Sequence, residues 1–413
     1  MNRIRPYLLP LYAVATLFPR LLSVPAPFGQ VQLTELLFFP LLLVFWKELT
    51  RTYRHFPLFT WSLTAYVAAN LLSSIWAVHA GTLLEGAARG YLGLIALFTI
   101  IHCFHYGTDR LLAWWKWTTV GVAAGSLLGY GWLVLGGADP ARMVSYVAEY
   151  PYMGAVYRLR GPANVYGMLY MLLLPGLCFA YHDWRRGRAA AWPWLLIAAA
   201  GLLTFGKENL LFPAGVCWYE ASRSTHYRPW LPAVGVGLIA VLLFGTHFLV
   251  ERTGNELRTP GYAAGAAIPL TATYHLRQTN YTINKRAALV IGQRNPVLGV
   301  GPGRFAASTP ALVAEGRYPA YFGRFDPHST WLGAFAETGA LGLLSLLLFV
   351  GVIWRSGPGG ALGPVGILLL LFLVASVFKD VANFRGLWVL AGMYLAGGLT
   401  PPRATTCGPA QGN

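Results

Sequence analysis

Residues 326–342 read Asp326-Pro327-His328-Ser329-Thr330-Trp331-Leu332-Gly333-Ala334-Phe335-Ala336-Glu337-Thr338-Gly339-Ala340-Leu341-Gly342, and residues 343–354 continue as an apolar run. The stretch starts polar, carries one histidine, and then becomes long and apolar enough to cross a hydrocarbon layer. Comparable runs recur from end to end of the 413 residues, of which 56% are hydrophobic and 11% charged. A soluble globular chain has about one quarter charged residues. The expected fold is an all-α polytopic membrane protein, built as a single bundle. A membrane barrel is excluded, because it would show alternating segments of about ten residues. Twelve spans are expected, at 6–25, 31–46, 57–78, 90–107, 113–136, 164–181, 190–206, 209–221, 230–250, 329–354, 360–378 and 386–400. The first has no small-residue cleavage pattern and is expected to stay in the protein.

The formal charge of +16 has two locations. Short basic clusters fall at Arg3/Arg5, Lys47/Arg51/Arg54, Arg110/Lys116, Arg185/Arg186/Arg188, Arg223/Arg228, Arg355 and Arg403. With twelve spans and a cytoplasmic N-terminus, all of these lie on one side, as short cytoplasmic loops require. Arg20 and Arg89 read as isolated bases of short outer loops. Two long outer segments remain, 137–163 and 251–327, and the second holds nine basic residues against four acidic ones. Long loops escape the positive-inside rule, so this charge points to anionic headgroups or a phosphorylated substrate rather than to nucleic acid. The expected organisation is helices one to nine in 1–250, a loop domain with short amphipathic helices in 251–327, helices ten to twelve in 328–400, and a cytoplasmic tail in 401–413. Cys103, Cys178, Cys217 and Cys407 form no CxxC or Cys/His pattern, so neither a disulfide framework nor a metal site is expected.

Several groups of polar residues carry candidate chemistry. Tyr157-Arg158-Leu159-Arg160-Gly161-Pro162-Ala163-Asn164 ends the first outer segment. Gly161 and Pro162 force a turn that holds Arg160 at the mouth of the bundle, with Asn164 as the expected cap of the sixth span. A guanidinium there offers a rigid fork for two phosphate oxygens. The run 281–294 reads as a short helix lying on or dipping into the membrane surface, with Arg286 among its polar positions, followed by a Gly- and Pro-rich turn at 295–305. His328 is expected in the first helical turn, behind Asp326 as cap and Pro327 at the first position. The helix N-terminus favours a neutral imidazole, which can accept a proton. Glu337, nine positions on, lies about 180° from His328 on a continuous helix. It reads as a buried partner for an amide or a basic side chain. Lys207 and Glu208 form another polar pair on the same side, and Lys379, Asp380 and Arg385 a further group. Tyr146, Tyr150, Tyr152 and Tyr157 read as interface anchors.

The pattern His328-Ser329-x-x-Leu332-x4-Glu337-x-Gly339-x-x-Gly342 resembles a signature of the O-antigen ligase and polymerase superfamily. So do Arg286 followed by Asn295-Pro296-Val297-Leu298-Gly299-Val300-Gly301-Pro302-Gly303, and the turn Arg160-Gly161-Pro162-Ala163-Asn164. The motif resemblance covers roughly 155–170 and 280–345, and the layout covers the whole chain. It implies a GT-C-type glycosyltransferase of the bacterial inner membrane that needs neither metal nor cofactor. The implied donor is a glycan on undecaprenyl pyrophosphate, and for the ligase branch the acceptor is the lipid A-core on the periplasmic face. Where that family carries a Ser-Arg pair after the seventh span, this chain has Gly206-Lys207. The expected site is therefore His328 as base, with Arg160, Arg286 and Lys207 for the pyrophosphate and Glu337, Asn164 and Arg158 in support. Fixed positive charge suits a leaving group on which negative charge develops. A polymerase and a protein-glycosylating ligase of the same superfamily remain as alternatives. So does a transporter or flippase, although no internal repeat of the kind such folds use is evident.

Overall fold

The computed structural model describes residues 5–17, 23–26, 29–77, 80–137, 144–150, 154–163, 166–223, 229–253, 263–320, 326–358 and 363–398. Asn164, Arg324 and the expected tail 401–413 lie outside the described residues. The helices are α1 (Arg5–Leu17), α2 (Leu33–Val44), α3 (Trp46–His55), α4 (Pro57–Trp76), α5 (Ala80–Tyr106), α6 (Thr108–Val134), α7 (Tyr166–Arg185), α8 (Trp192–Leu202), α9 (Leu211–Arg223), α10 (Trp230–His247), α11 (Asn280–Arg294), α12 (Phe305–Ala314), α13 (Thr330–Ser356), α14 (Pro364–Ala375) and α15 (Arg385–Gly398). A helix falls on each stretch expected to span. Among the described residues four of them, α4, α5, α10 and α13, are long and apolar enough to cross a membrane, and several others are shorter and apolar. The protein is an α-helical membrane protein.

Local chemistry sets the boundaries. Pro57, Pro193 and Pro364 stand in the first turns of α4, α8 and α14, where their missing amides cost nothing. Trp46 to His55, a basic cluster by sequence, winds into α3, with Leu49 and Thr52 buried and Lys47, Arg51 and Arg54 exposed. The main core is a continuous apolar cluster containing Leu41, Phe59, Phe98, Trp115, Phe349, Phe372 and Trp388. A second cluster joins α6, α7 and α8, and a third lies between α11, α12 and α13.

Strands amend the all-helical expectation. They are β1 (Ser23–Ala26), β2 (Gly29–Gln32), β3 (Val144–Tyr150), β4 (Gly154–Leu159), β5 (Phe248–Arg252), β6 (Ala263–Pro269) and β7 (Tyr274–Thr279). β1–β2 and β3–β4 are antiparallel hairpins, and β5, β7 and β6 form a three-stranded antiparallel sheet in that order. β5 starts at Phe248, inside the stretch read as the ninth span, because α10 ends at His247. The run Phe248-Leu249-Val250 is apolar enough to extend a hydropathy window but pairs with Gln278, Arg277 and Leu276 as strand.

α13 is two helices joined across Gly339, which has φ 65° and ψ −164°, a region essentially reserved for glycine. The break leaves helical amides and carbonyls without their usual partners. The turn after α11 supplies them. Val300 and Gly301 amides donate to the Ala336 and Glu337 carbonyls at 3.1 and 2.8 Å, and Ala340 and Leu341 amides donate to the Pro296 and Val297 carbonyls at 2.7 and 3.2 Å. Ser73 of α4 adds its hydroxyl to the Glu337 carbonyl at 2.8 Å and the Leu298 carbonyl at 2.5 Å. Gly299, Gly301 and Gly303 all have positive φ, which lets the turn lie flat against the break.

Candidate active site

His328 precedes α13 rather than forming its first turn. Ser329 is the N-cap, its hydroxyl accepting from the Leu332 amide at 3.4 Å. Asp326 instead turns back on the histidine. Its Oδ1 accepts from the His328 amide at 2.7 Å and forms a short contact with Nδ1 of the ring. Desolvation raises the Asp326 carboxyl, but the bond and charge of His328 outweigh it, so the group sits below its ordinary value. His328 has φ 49°, a left-handed backbone uncommon outside glycine. Phe205, with φ 46°, is the other such residue among the described ones. Strained backbone of this kind persists where the surroundings fix it, often at functional sites. The Tyr281 ring of α11 lies against the imidazole, 4.6 Å between centroids and 30° between planes.

Other groups follow from these by contact. Lys379 lies beside the start of α13, its carbonyl accepting from the Thr330 amide at 3.2 Å, and it acts electrostatically on Asp326. Its ammonium pairs with Glu208 Oε1 at 2.8 Å, both side chains nearly enclosed. Desolvation raises the Glu208 carboxyl, and Lys379 overcomes this to hold it below the usual range. The neighbouring Lys207 ammonium donates to the Gly245 carbonyl of α10. One turn beyond Tyr281, Lys285 contacts His247 Nε2 at the end of α10. Lys207, Glu208, Lys379, Asp326, His328, Tyr281, Lys285 and His247 thus form one ring of polar side chains where α8, α10, α11 and α13 end or begin.

Arg158 borders this ring as a brace. It is buried, and its Nε and Nη2 donate to the Thr204 and Phe205 carbonyls at 2.8 and 2.7 Å, closing the end of α8. Arg160, two residues on, is half-buried and enters a 3-10 turn at Gly161–Ala163. Gly161 has φ 51°, and a Cβ there would meet the Ser126 hydroxyl at 2.8 Å. The helix bearing Arg286 does not simply lie on a surface. It packs along α13 through buried Asn284, Ala287, Ala288, Ile291 and Gly292. Arg286 is exposed and has no hydrogen bond or ion pair with the described residues. Helical geometry turns it about 140° from Tyr281, against about 40° for Lys285.

Glu337 belongs to a separate buried cluster. Its Oε2 pairs with Arg89 Nη2 at 2.5 Å, and its Oε1 accepts from the Phe305 amide at 3.4 Å. Arg89 Nη1 donates to Asn70 Oδ1 at 2.8 Å. Arg89, read as an isolated loop base, is thus 7% exposed inside the bundle. The signal for it was Asn70, Ser73 and Ser74 in an apolar span, with the spacing that puts polar groups on one helix face. Asp380 links the two clusters. Desolvation, with Glu337 and Asp326 nearby and Arg89 opposing, pushes its carboxyl up to about 6. Among the described residues no group of three or more His, Cys, Asp or Glu is placed to hold a metal ion.

An apolar groove opens beside the ring. Thr330 and Trp331 head it, and Phe349, Trp354, Leu369 and Trp388 continue it along α13, α14 and α15. No protein-family model and no curated protein matches the chain.

Proposed function

We propose that this protein is an O-antigen ligase, transferring a glycan from undecaprenyl pyrophosphate to the lipid A-core at the periplasmic face of the bacterial inner membrane. The observation that carries the reading is the Asp326–His328 pair standing in a ring that contains Lys207, Lys285 and Lys379. Carboxylate contact at Nδ1 orients the imidazole and leaves Nε2 as the nitrogen that receives a proton. In the proposed reaction an acceptor hydroxyl loses its proton to His328 while its oxygen bonds to the anomeric carbon. The bond from that carbon to the pyrophosphate oxygen breaks, its electron pair leaves with the pyrophosphate, and configuration inverts. Fixed cations stabilise the charge that develops there. Arg160 and Lys207 are the proposed pyrophosphate contacts, with Arg286 at the exposed margin.

The proposal includes twelve spans, cytoplasmic termini and an outer segment around 251–327. In a deletion strain a ligase leaves free lipid-linked polymer and an unmodified lipid A-core. A core carrying a single repeat would instead assign a polymerase of the same superfamily. Wild-type lipopolysaccharide in that strain would remove both.

A further inference from the structure

α11 presents two adjacent basic residues in unlike surroundings. Arg286 is exposed, whereas Lys285 is half-buried on the side that carries Tyr281, and Tyr281 lies on His328. Two further bonds pin that side to the end of α10. The Thr279 and Thr282 hydroxyls donate to the Thr246 and His247 carbonyls at 2.5 and 2.9 Å.

The partner of Lys285 is defined atom by atom. His247 Nδ1 lies 2.7 Å from the Leu243 carbonyl, an acceptor only, so Nδ1 carries the ring proton. Nε2 then holds a lone pair, and the Lys285 ammonium donates to it. That contact takes one of the three lysine donors. Burial pushes the ammonium down to about 8, so it is charged at neutral pH yet poorly solvated. A poorly solvated ammonium gains more from an anion than an exposed one does. Lys207 acts electrostatically on the same histidine, so two ammonium groups flank it. In the neighbouring sheet Glu251 Oε2 lies 3.1 Å from His275 Nε2 and 3.4 Å from Arg277 Nε, and Arg252 of β5 is exposed. On α13 Glu337 is held by Arg89. Arg304, at the N-cap of α12, is half-buried.

We propose that Lys285, held by His247, binds a phosphate oxygen beside His328, and is the cation through which α11 serves the site. The proposal rests on the reading of a lipid pyrophosphate donor. Lysine at this position brings a compact charge to one oxygen, where Arg286 would bring a fork from the exposed face.

Binding is measured with full-length protein in nanodiscs of neutral lipid, using undecaprenyl pyrophosphate, inorganic pyrophosphate and, separately, phosphatidylglycerol. Lys285→Ala is expected to weaken undecaprenyl pyrophosphate about tenfold or more, the size of one lost charge-assisted contact. Lys285→Arg restores most of it, and Gln293→Ala on the exposed side of α11 changes nothing. Wild-type affinity falls as pH rises through about 8, whereas Lys285→Arg holds its affinity there because a guanidinium stays charged. Equal binding by Lys285→Ala and wild type overturns the proposal. So does an alkaline loss that Lys285→Arg shares. If Lys285 governs inorganic pyrophosphate but the wild type ignores the lipid form, the anion site stands and the lipid-donor reading fails. If phosphatidylglycerol binds as well as undecaprenyl pyrophosphate, a general headgroup site replaces the proposed one.

Discussion

The Gly301 amide donates to the Glu337 carbonyl at 2.8 Å, so a turn far from α13 in sequence completes the hydrogen bonding of that helix. The side chain of the same Glu337 reaches Arg89 and the Phe305 amide. One residue therefore ties α5, the turn and α12 to the break in α13.

Gly339→Ala is expected to destabilise the protein by about 3 kcal/mol, since the backbone there suits glycine alone. A Cβ on Gly339 would also lie 2.2 Å from the Val297 carbonyl oxygen. Gly299→Ala, whose Cβ would lie 2.3 Å from the Glu337 carbonyl carbon, is expected to match it. Gly121 and Gly125 of α6 face open space, so alanine there is neutral or mildly stabilising. Thermal unfolding in detergent, compared across the four variants, checks this.

Removing one member of the Arg89–Glu337 pair strands a buried charge. Arg89→Met and Glu337→Leu are each expected to cost about 3–5 kcal/mol. The double variant Arg89→Met with Glu337→Leu is expected to cost less than either. A double-mutant cycle of unfolding free energies decides it, and simple additivity would show that the pair does not act as one.

These two clusters show how much the sequence makes legible. The apolar runs locate helices, because burial in lipid imposes length and composition on every span. They miss β5, since Phe248-Leu249-Val250 is as apolar as the end of a helix and only pairing with β7 makes it a strand. His328, Lys207 and Arg158 fall in or beside one ring, while Arg286 stands on the exposed face of its helix and Lys285 takes the inward one. No motif marks Lys285 or His247, because their meeting depends on how α11 docks against α10. Glu337 is legible as a buried partner, whereas Arg89 reads as a loop base and is signalled only indirectly, by Asn70, Ser73 and Ser74, since α5 begins about ten residues earlier than its apolar core suggests.

The Lys379–Glu208 pair predicts a pH dependence. The folded-state pKa of Glu208 is lowered, so its stabilisation is present above the ordinary glutamate value and is lost as pH falls through the lowered one. Glu208→Gln is expected to cost on the order of 1–3 kcal/mol at pH 7, and the difference from wild type vanishes on acidification. Unfolding measured as a function of pH in both proteins tests it.

His328→Ala is expected to lower transfer from a lipid-linked donor by about 10²–10⁴-fold, the range of a positioned general base, with donor binding retained. Asp326→Asn keeps the shape of the turn but removes the carboxylate from Nδ1, and is expected to act in the same direction to a smaller extent. Full ligation by purified His328→Ala protein would remove the histidine from the mechanism.

The proposed topology places exposed Ala272 and exposed Arg186 on opposite sides. On a cysteine-free background, Ala272→Cys is expected to react with an impermeant maleimide added to spheroplasts, and Arg186→Cys only after lysis. Reaction of both before lysis would overturn the orientation.

The turn at 296–301 has a consequence for synthesis. It precedes α13 in the chain, and so does Ser73. By the time Ala336 to Leu341 leave the ribosome, the groups that receive their amides and carbonyls have already been made. The broken helix is thus the last piece of a joint whose socket exists before it, and it need not wait unsatisfied in lipid, where each bare peptide group costs several kcal/mol. A circular permutation that placed α13 ahead of α11 would keep every contact of the finished protein and lose that order of arrival.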